Sequence, residues 1–405
     1  MTEWNKNALG ELISAGDADL QTGPFGTMLK SSEYTESGTP VIAVQDIGEN
    51  KFHQGKLVYI ATEIAQRLNK YRVLKGDIVF GRKGAVDRRA IVSINEDGWI
   101  QGSDCIRLRL NKKVCSEFVS YQLGGRKIKE WLIQHSQGAT MPSLNQEILK
   151  LLPLILPPLP EQKAIASVLS SLDDKIDLLH RQNKTLESMA ETLFRQWFVE
   201  EAVENQKILT LSEIAEHVKI SIRPVPHTQY SHYSIPSFDE THGPLIELGE
   251  EIKSNKYQVI PNSILISKLN PRFPRVLNIP DRIGENSICS TEFQVVFPKK
   301  PKWYSFIYNL LKSQKVTSEL IGAAGGTSGS HQRVRPNVIF GVEFPKPDDE
   351  RIDKFNSFTE INLIKINSNR RQIILLESLR DSLLPKLMSG EVRIQYENVP
   401  LMENS

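Results

Sequence analysis

The feature that most constrains this 405-residue chain is that it repeats itself. Leu186-Glu-Ser-Met-Ala-Glu-Thr-Leu193 returns 190 residues later as Leu376-Glu-Ser-Leu-Arg-Asp-Ser-Leu383. Three further echoes precede each copy, in the same order. Tyr71-Arg-Val-Leu-Lys-Gly-Asp-Ile-Val-Phe80 answers to Tyr257-Gln-Val-Ile-Pro-Asn-Ser-Ile-Leu-Ile266, a turn leading into a β-branched strand each time. Asp104-Cys-Ile-Arg-Leu-Arg-Leu110, which alternates like a half-buried strand, answers to Glu292-Phe-Gln-Val-Val-Phe297. Gly138-Ala-Thr140, followed by Leu144 and an apolar run ending at Pro157, answers to Gly326-Thr-Ser-Gly329, followed by Val334 and Val342-Glu-Phe-Pro345. One shared triplet would be chance; four echoes in order, at nearly one offset, specify globular unit, long helix, globular unit, long helix. The length also exceeds a single core and fits more than one domain.

The helices carry their own signals. Pro160 suits a first-turn position, and Glu161 beside it favours the positive end of the helix dipole. A stripe then runs Ile165, Leu169, Leu172, Ile176, Leu179, Asn183, Leu186, Ala190, Leu193, Trp197, alternating four and three, the coiled-coil period. A weaker stripe runs Ile352, Phe355, Thr359, Asn362, Ile366, Asn369, Ile373, Leu376, Arg380, Leu383, Leu387. Both are expected to pack on each other. Asn183, Asn362 and Asn369 inside the seam would cost stability and fix register. From Ile165 to Trp197 the rod would be about 50 Å long at roughly 1.5 Å per residue, longer than one DNA turn of about 34 Å. The fold expected is α+β, with globular α/β units at 1–157 and 204–346, helices at 158–203 and 347–393, and a tail at 394–405.

Between Arg67 and Arg89 stand eight Lys or Arg against two acidic residues, Asp77 and Asp87. The densest part, Gly81-Arg-Lys-Gly-Ala-Val-Asp-Arg-Arg89, directly follows a predicted strand, so Arg82, Lys83, Arg88 and Arg89 are candidate contacts to phosphates or guanine edges. The matching stretch Ser267-Lys-Leu-Asn-Pro-Arg-Phe-Pro-Arg275 offers Lys268, Arg272 and Arg275, with Asn270 suited to a bidentate contact to adenine. Loops rich in Gly, Ser and Thr add Thr27 and Lys30, Thr140, and Ser330, His331 and Arg333. The net charge is only +2, so any nucleic-acid surface must be built from such local clusters.

Other chemistries lack their residues. There is no GxxxxGK[ST] loop, and Gly322-Ala-Ala-Gly-Gly-Thr-Ser-Gly329 has no lysine. Asn270-Pro-Arg-Phe273 departs from an amino-methyltransferase motif at Arg272. Asp239 with Glu251 and Lys253 is too loose for a metal nuclease, and His217, His227 and His232 match no zinc spacing. Cys105, Cys115 and Cys289 form no CxxC pair and read as buried thiols. No signal peptide is visible, and prolines interrupt the longest apolar run, Leu151–Leu159, so a reducing cytoplasm is expected.

Leu156-Pro-Pro-Leu-Pro-Glu-Gln-Lys-Ala-Ile-Ala166, Leu172-Asp-Asp-Lys-Ile-Asp177, Leu186-Glu-Ser and Arg195-Gln-Trp-Phe198 together resemble the central conserved region of type I restriction enzyme specificity subunits. Leu383-Leu-Pro-Lys-Leu-Met-Ser-Gly-Glu-Val392 resembles the second conserved region, and Thr22-Gly-Pro-Phe-Gly26, Lys75-Gly-Asp77 and Ser267–Arg272 resemble elements of the recognition domains. The resemblance covers nearly the whole chain. It implies two target-recognition domains, each reading one half of a bipartite site in double-stranded DNA, and an antiparallel coiled coil that docks two methyltransferase subunits, with motor–nuclease subunits joining them. S-adenosylmethionine, ATP and Mg²⁺ would serve those partners, and this chain would bind no cofactor or metal and catalyse nothing alone. Lys346-Pro-Asp-Asp-Glu350 departs from the Pro-Pro-Leu-Pro-Glu-Gln form, so docking by the two halves need not be equal. The alternatives are a stand-alone two-headed DNA-binding regulator, for which helix-turn-helix signals are lacking, and a fused methyltransferase or nuclease, for which the motifs are lacking.

Overall fold

The computed structural model describes residues 4–53, 55, 57–138, 141–201, 206–325 and 332–394. The chain divides into two compact units, one running to Asp174 and resuming at Ser378, the other Lys175–Glu377. The division cuts both long helices, Leu159–Arg195 and Asp349–Ser389. Each unit therefore owns one globular domain, part of the first helix and part of the second.

In the first unit, strand Asn5–Ala8 pairs antiparallel with Pro153–Leu156, tying the start of the domain to the segment that enters the helix. The main sheet runs in the order Ala18–Thr22, Cys105–Leu110, Ile78–Gly81, Arg89–Ile91, Glu49–Asn50. A four-stranded sheet, Tyr34–Thr35, Val58–Ile60, Thr39–Ile42, Ile100–Gln101, stands beside it. In the second unit Ile208–Thr210 pairs antiparallel with Glu343–Pro345. The matching sheet runs Ala215–Val218, Phe293–Pro298, Ile264–Ser267, Val276–Asn278. The four-strand order is the same in both, so the sequence echoes are echoes of topology. The accessory sheets differ: the second has five strands, Ser221–Ile222, Lys256–Gln258, Ser287–Cys289, Gln229–Tyr233 and Leu245–Leu248.

The helices extend each domain's core. In the first unit Ile165, Leu169 and Leu387 are buried in one cluster with Phe118, Leu154 and Leu156, and Leu383 packs against it. Each such aliphatic side chain contributes about 1.5–3 kcal/mol when fully buried. In the second unit Phe194, Ile352, Phe355 and Ile366 are buried with Phe306, and Leu186, Leu193 and Trp197 pack against them. Phe198 meets Phe306 and Phe355 edge to face, with centroids 5.1 and 5.2 Å apart, a favoured aromatic geometry. Ile176, Leu179 and Ile373 form a smaller buried cluster with Leu376 at its margin. Leu172 is half-buried.

The helices run antiparallel within each unit. Arg380 donates to Asp173 at 3.0 Å in the first. In the second Asn369 reaches Asn183, and the Trp197 and Phe355 rings lie 6.3 Å apart. The stripe read from sequence drifts at the end of the first helix. Phe194, outside the stripe, is more deeply buried than Leu193, and the chain continues as a π-helical turn, Gln196–Glu200.

The Pro-Pro-Leu-Pro-Glu-Gln block has a physical use. Glu161 and Gln162 are both buried. Gln162 accepts from the Cys115 amide at 2.9 Å and donates to the Pro157 carbonyl at 2.8 Å, and Glu161 accepts from Arg393 at 2.8 Å. At the corresponding place, 190 residues on, stands Arg351, which donates instead to the carbonyls of Trp197 at 2.6 Å and Glu201 at 3.1 Å. The departure at Lys346–Glu350 thus accompanies a reversed charge and a different anchor. No helix among the described residues is long and apolar enough to cross a membrane.

Candidate nucleic-acid interface

The loop leaving strand Ile78–Gly81 is held by backbone bonds to two other segments. The Arg82 amide donates to the Asp104 carbonyl at 2.7 Å, and the Leu144 amide donates to the Arg82 carbonyl at 2.8 Å. The Gly84 amide donates to Pro142 at 2.9 Å, while Gln137 and Ser143 exchange a pair of bonds at 2.9 and 2.7 Å. The second unit repeats this scheme. The Lys268 amide donates to the Glu292 carbonyl at 2.9 Å, Val334 to Lys268 at 2.9 Å and Asn270 to Gln332 at 2.8 Å; Gly325 and Arg333 exchange bonds at 3.2 and 3.0 Å.

The scheme pairs the two cradles residue by residue, in the register that the sequence echoes give. Arg82 corresponds to Lys268, Lys83 to Leu269, Gly84 to Asn270, Asp104 to Glu292 and Ser143 to Arg333. Gly84 has φ +76° and Asn270 φ +48°. Glycine adopts that left-handed region without steric cost, and asparagine tolerates it better than most residues. Asn270 therefore serves the turn. The residue is half-buried, and its Oδ1 is buried without a hydrogen-bond partner among the described residues.

Most expected contacts lie in or beside these cradles. Arg82 sits over the Phe25 ring, its guanidinium carbon 4.6 Å from the centroid, which joins the Thr22–Thr27 loop to the basic loop. Thr27, Lys30 and Arg88 are exposed, as are Arg272 and the neighbouring Phe273; Lys268 is half-buried. Lys83 is half-exposed and pairs with Asp104 at 3.3 Å. Arg333 is half-exposed and pairs with Glu292 at 3.1 Å. Arg275 forms a two-bond pair with Asp239 at 2.6 and 2.8 Å and keeps little exposure. Thr140, Ser330 and His331 lie outside the described residues.

Arg89 is corrected outright. It is 4% exposed, and its Nε donates to the Ser120 carbonyl at 2.8 Å. The guanidinium lies so close to Gly124 that a Cβ there would collide with it. Burial pushes Arg89 down to about 10, still a cation at neutral pH. Its counterpart is Val276, buried at the same place in the strand pairing. Arg89 is a core residue, and the density of basic residues along the run gave no warning of that.

The sequence echo aligns Asp104 with Glu292 but gives neither a role. Each stands one residue before the equivalent strand, and each combines a backbone bond to the basic loop with a side-chain pair to a cation. The residues weighed for other chemistry are engaged separately. Asp239 holds Arg275, Glu251 accepts from the Leu248 amide at 2.9 Å, His232 pairs with Glu247, and His227 pairs with Glu250 at 3.0 Å. Among the described residues no group of three or more His, Cys, Asp or Glu could hold a metal ion.

Comparison with known proteins converges on one family. The family model of the type I restriction modification DNA specificity domain matches residues 1–188. The type I restriction enzyme MjaIX specificity subunit of Methanocaldococcus jannaschii is 28% identical over 311 residues, covering 70% of this chain and 70% of its own. The HindI specificity subunit of Haemophilus influenzae is 24% identical over 475 residues, covering 97% of this chain and 100% of its own. The crystal structure of a type I restriction–modification S subunit from M. genitalium superposes with a TM-score of 0.61 at 18% identity, over 96% of this chain and 99% of that one, and so shares the fold. With a specificity-domain match in its first half, end-to-end similarity to a specificity subunit and the fold of another, this chain is similar along its length to type I restriction–modification specificity subunits.

Proposed function

We propose that the chain reads a bipartite sequence in double-stranded DNA, one domain per half-site, and docks methyltransferase subunits on its long helices. The observation that carries this reading is the duplicated cradle: the same backbone bonds hold a cation-bearing loop in each unit. Arginine and lysine on such loops supply phosphate contacts and major-groove recognition. Unlike loops on a like frame are what two different half-sites require. Docking is supported by large apolar side chains left exposed on the second helix, with Ile361, Ile364 and Leu375 each 68–69% exposed.

In this reading the chain supplies recognition, and two methyltransferase subunits and motor–nuclease subunits supply the chemistry. S-adenosylmethionine, ATP and Mg²⁺ serve those partners, this chain binds none of them, and the complex works in the cytoplasm. The test is to exchange residues 1–155 for the corresponding domain of a relative and sequence the methylome of a host carrying the whole system. One half-site should change and the other stay; altered bases in both halves would overturn modular reading.

A further inference from the structure

The two cradles share a carboxylate whose cationic partner has changed segment. In the first, Asp104 pairs with Lys83 on the loop that leaves the strand. In the second that position is Leu269, and Glu292 pairs with Arg333, which occupies the place of Ser143 on the opposite segment. The Arg333 contact is many-pronged, with Nε at 3.1 Å from Oε2 and Nη2 at 3.1 Å from Oε1. Both cations are about half exposed, at 48% and 50%, so neither pair closes an internal gap. A surface pair of this kind adds little stability. A negative charge on a face that must meet phosphates also opposes binding. A carboxylate kept at one backbone position while its cation moves is explained by what it does to that cation.

We propose that Asp104 and Glu292 are positioning residues for base recognition. Each holds its cation in one geometry above the groove and masks it from phosphate, so that the cation engages fully only where the correct base edge meets it. This deepens the DNA-reading proposal and rests on it. The consequence is selective: the carboxylates weaken binding to unrelated DNA more than binding to the target. The small net charge of the chain, +2, fits reading heads whose cations are partly neutralised from within.

The experiment uses the complete complex with its methyltransferase subunits and the variants Asp104→Asn and Glu292→Gln, which keep shape and remove charge. Binding to the methylome-defined target duplex and to an unrelated duplex is titrated over a salt series. Each variant should bind unrelated DNA about tenfold more tightly, with a plot of log affinity against log salt steeper by about 0.9, the release of one further counterion. Target affinity should change less, so the ratio of specific to non-specific binding falls. Adding Lys83→Gln to Asp104→Asn should abolish the gain, because no cation remains to unmask. A specificity ratio and salt slope like the parent's, or equal weakening on both duplexes, would overturn the proposal. If the parent complex itself fails to prefer its target, the DNA-reading proposal fails instead, and the two failures are distinct.

Discussion

Asn369 donates its side-chain amide to the Asn183 carbonyl oxygen at 2.9 Å, in a seam otherwise lined by Ile176, Leu179, Ile366 and Ile373. Asn369 is fully buried, and the amide also approaches the Gln182 oxygen at 3.4 Å. An amide pair placed among aliphatic side chains stabilises less than two leucines would. It forms in only one alignment of the helices, so it selects that alignment against slipped ones.

Breaking the pair from one side should cost more than removing it. Asn183→Leu leaves the Asn369 amide buried with only a poor acceptor, a loss of about 1–3 kcal/mol. Asn183→Leu with Asn369→Leu should recover that loss in thermal unfolding and give a coupling energy of opposite sign to the single effects. The double variant should also populate more than one helix alignment, visible as duplicated methyl signals in NMR spectra. Additive losses in the two single variants would show that the asparagines act independently.

The basic run should separate into two kinds of residue. Arg82→Ala with Lys83→Ala should weaken DNA binding by the intact complex and flatten its salt dependence by about 0.9 in slope, the phosphate contact of Arg82, since Asp104 masks Lys83 from phosphate. Arg89→Met should leave the salt slope of the folded protein unchanged while lowering its melting temperature, because it removes the buried bond to Ser120. Salt titrations and thermal melts on the same preparations check both. A changed slope with an unchanged melting temperature in Arg89→Met would return Arg89 to the DNA face.

Acid should loosen the second unit selectively. Burial holds His232 below the usual histidine range, although Glu247 beside it pulls upward, and burial likewise lowers His217 and His242. A depressed folded value means the unfolded chain binds protons first. The stability involved is complete above the ordinary histidine value of about 6.5 and is lost as pH falls through the folded values. Hydrogen exchange corrected for intrinsic rates should therefore show Gln229–Tyr233 losing protection between pH 7.5 and 5.5 more than Cys105–Leu110. Glu187 adds a second, lower step. Burial pushes its carboxyl up, but Lys312 and Arg370 outweigh that and hold it below its usual value. Its contribution persists above about pH 4.3 and disappears as pH falls through the folded value. Equal loss of protection in both strands between pH 7.5 and 5.5 would remove the histidines from the explanation.

Heptad spacing made the helices legible because burial on a coiled coil follows a strict period, and the seam from Ile165 to Ala190 lies where the pattern put it. The duplicated sheet was legible through its echoes, since matching strands in one order constrain topology. What sequence could not give were the surroundings of single side chains. Charge density marked the loop from Arg82 to Arg89 but could not tell that Arg89, at the start of a strand, points inward. Asn270 has the right chemistry for adenine, and only the structure shows that its left-handed backbone also gives it the turn position of Gly84. Lys83 and Arg333 occupy non-equivalent positions, and only the hydrogen-bond register shows that one carboxylate position serves both.

Pairing across the seam also decides how the helices can be lengthened. An insertion between Leu179 and Asn183 alone would slide the first helix against Asn369 and break the amide pair. Four residues placed there, matched by four between Asn369 and Ile373, would keep Asn183 and Asn369 opposed. Each helix would grow by about 6 Å at roughly 1.5 Å per residue. That corresponds to one or two base pairs at about 3.4 Å each. Four residues form a stutter that a coiled coil absorbs by unwinding locally. A single residue instead rotates everything beyond it by about 100° at roughly 3.6 residues per turn, turning Ile176 or Ile373 out of the seam. If the helices act as the spacer between half-sites, the matched variant should methylate the same bases in both halves with a longer gap between them, and the single-residue variants should unfold at lower temperature. Methylome sequencing reads the outcome directly. A folded, active matched variant that keeps the original gap would show that something other than helix length sets the spacing.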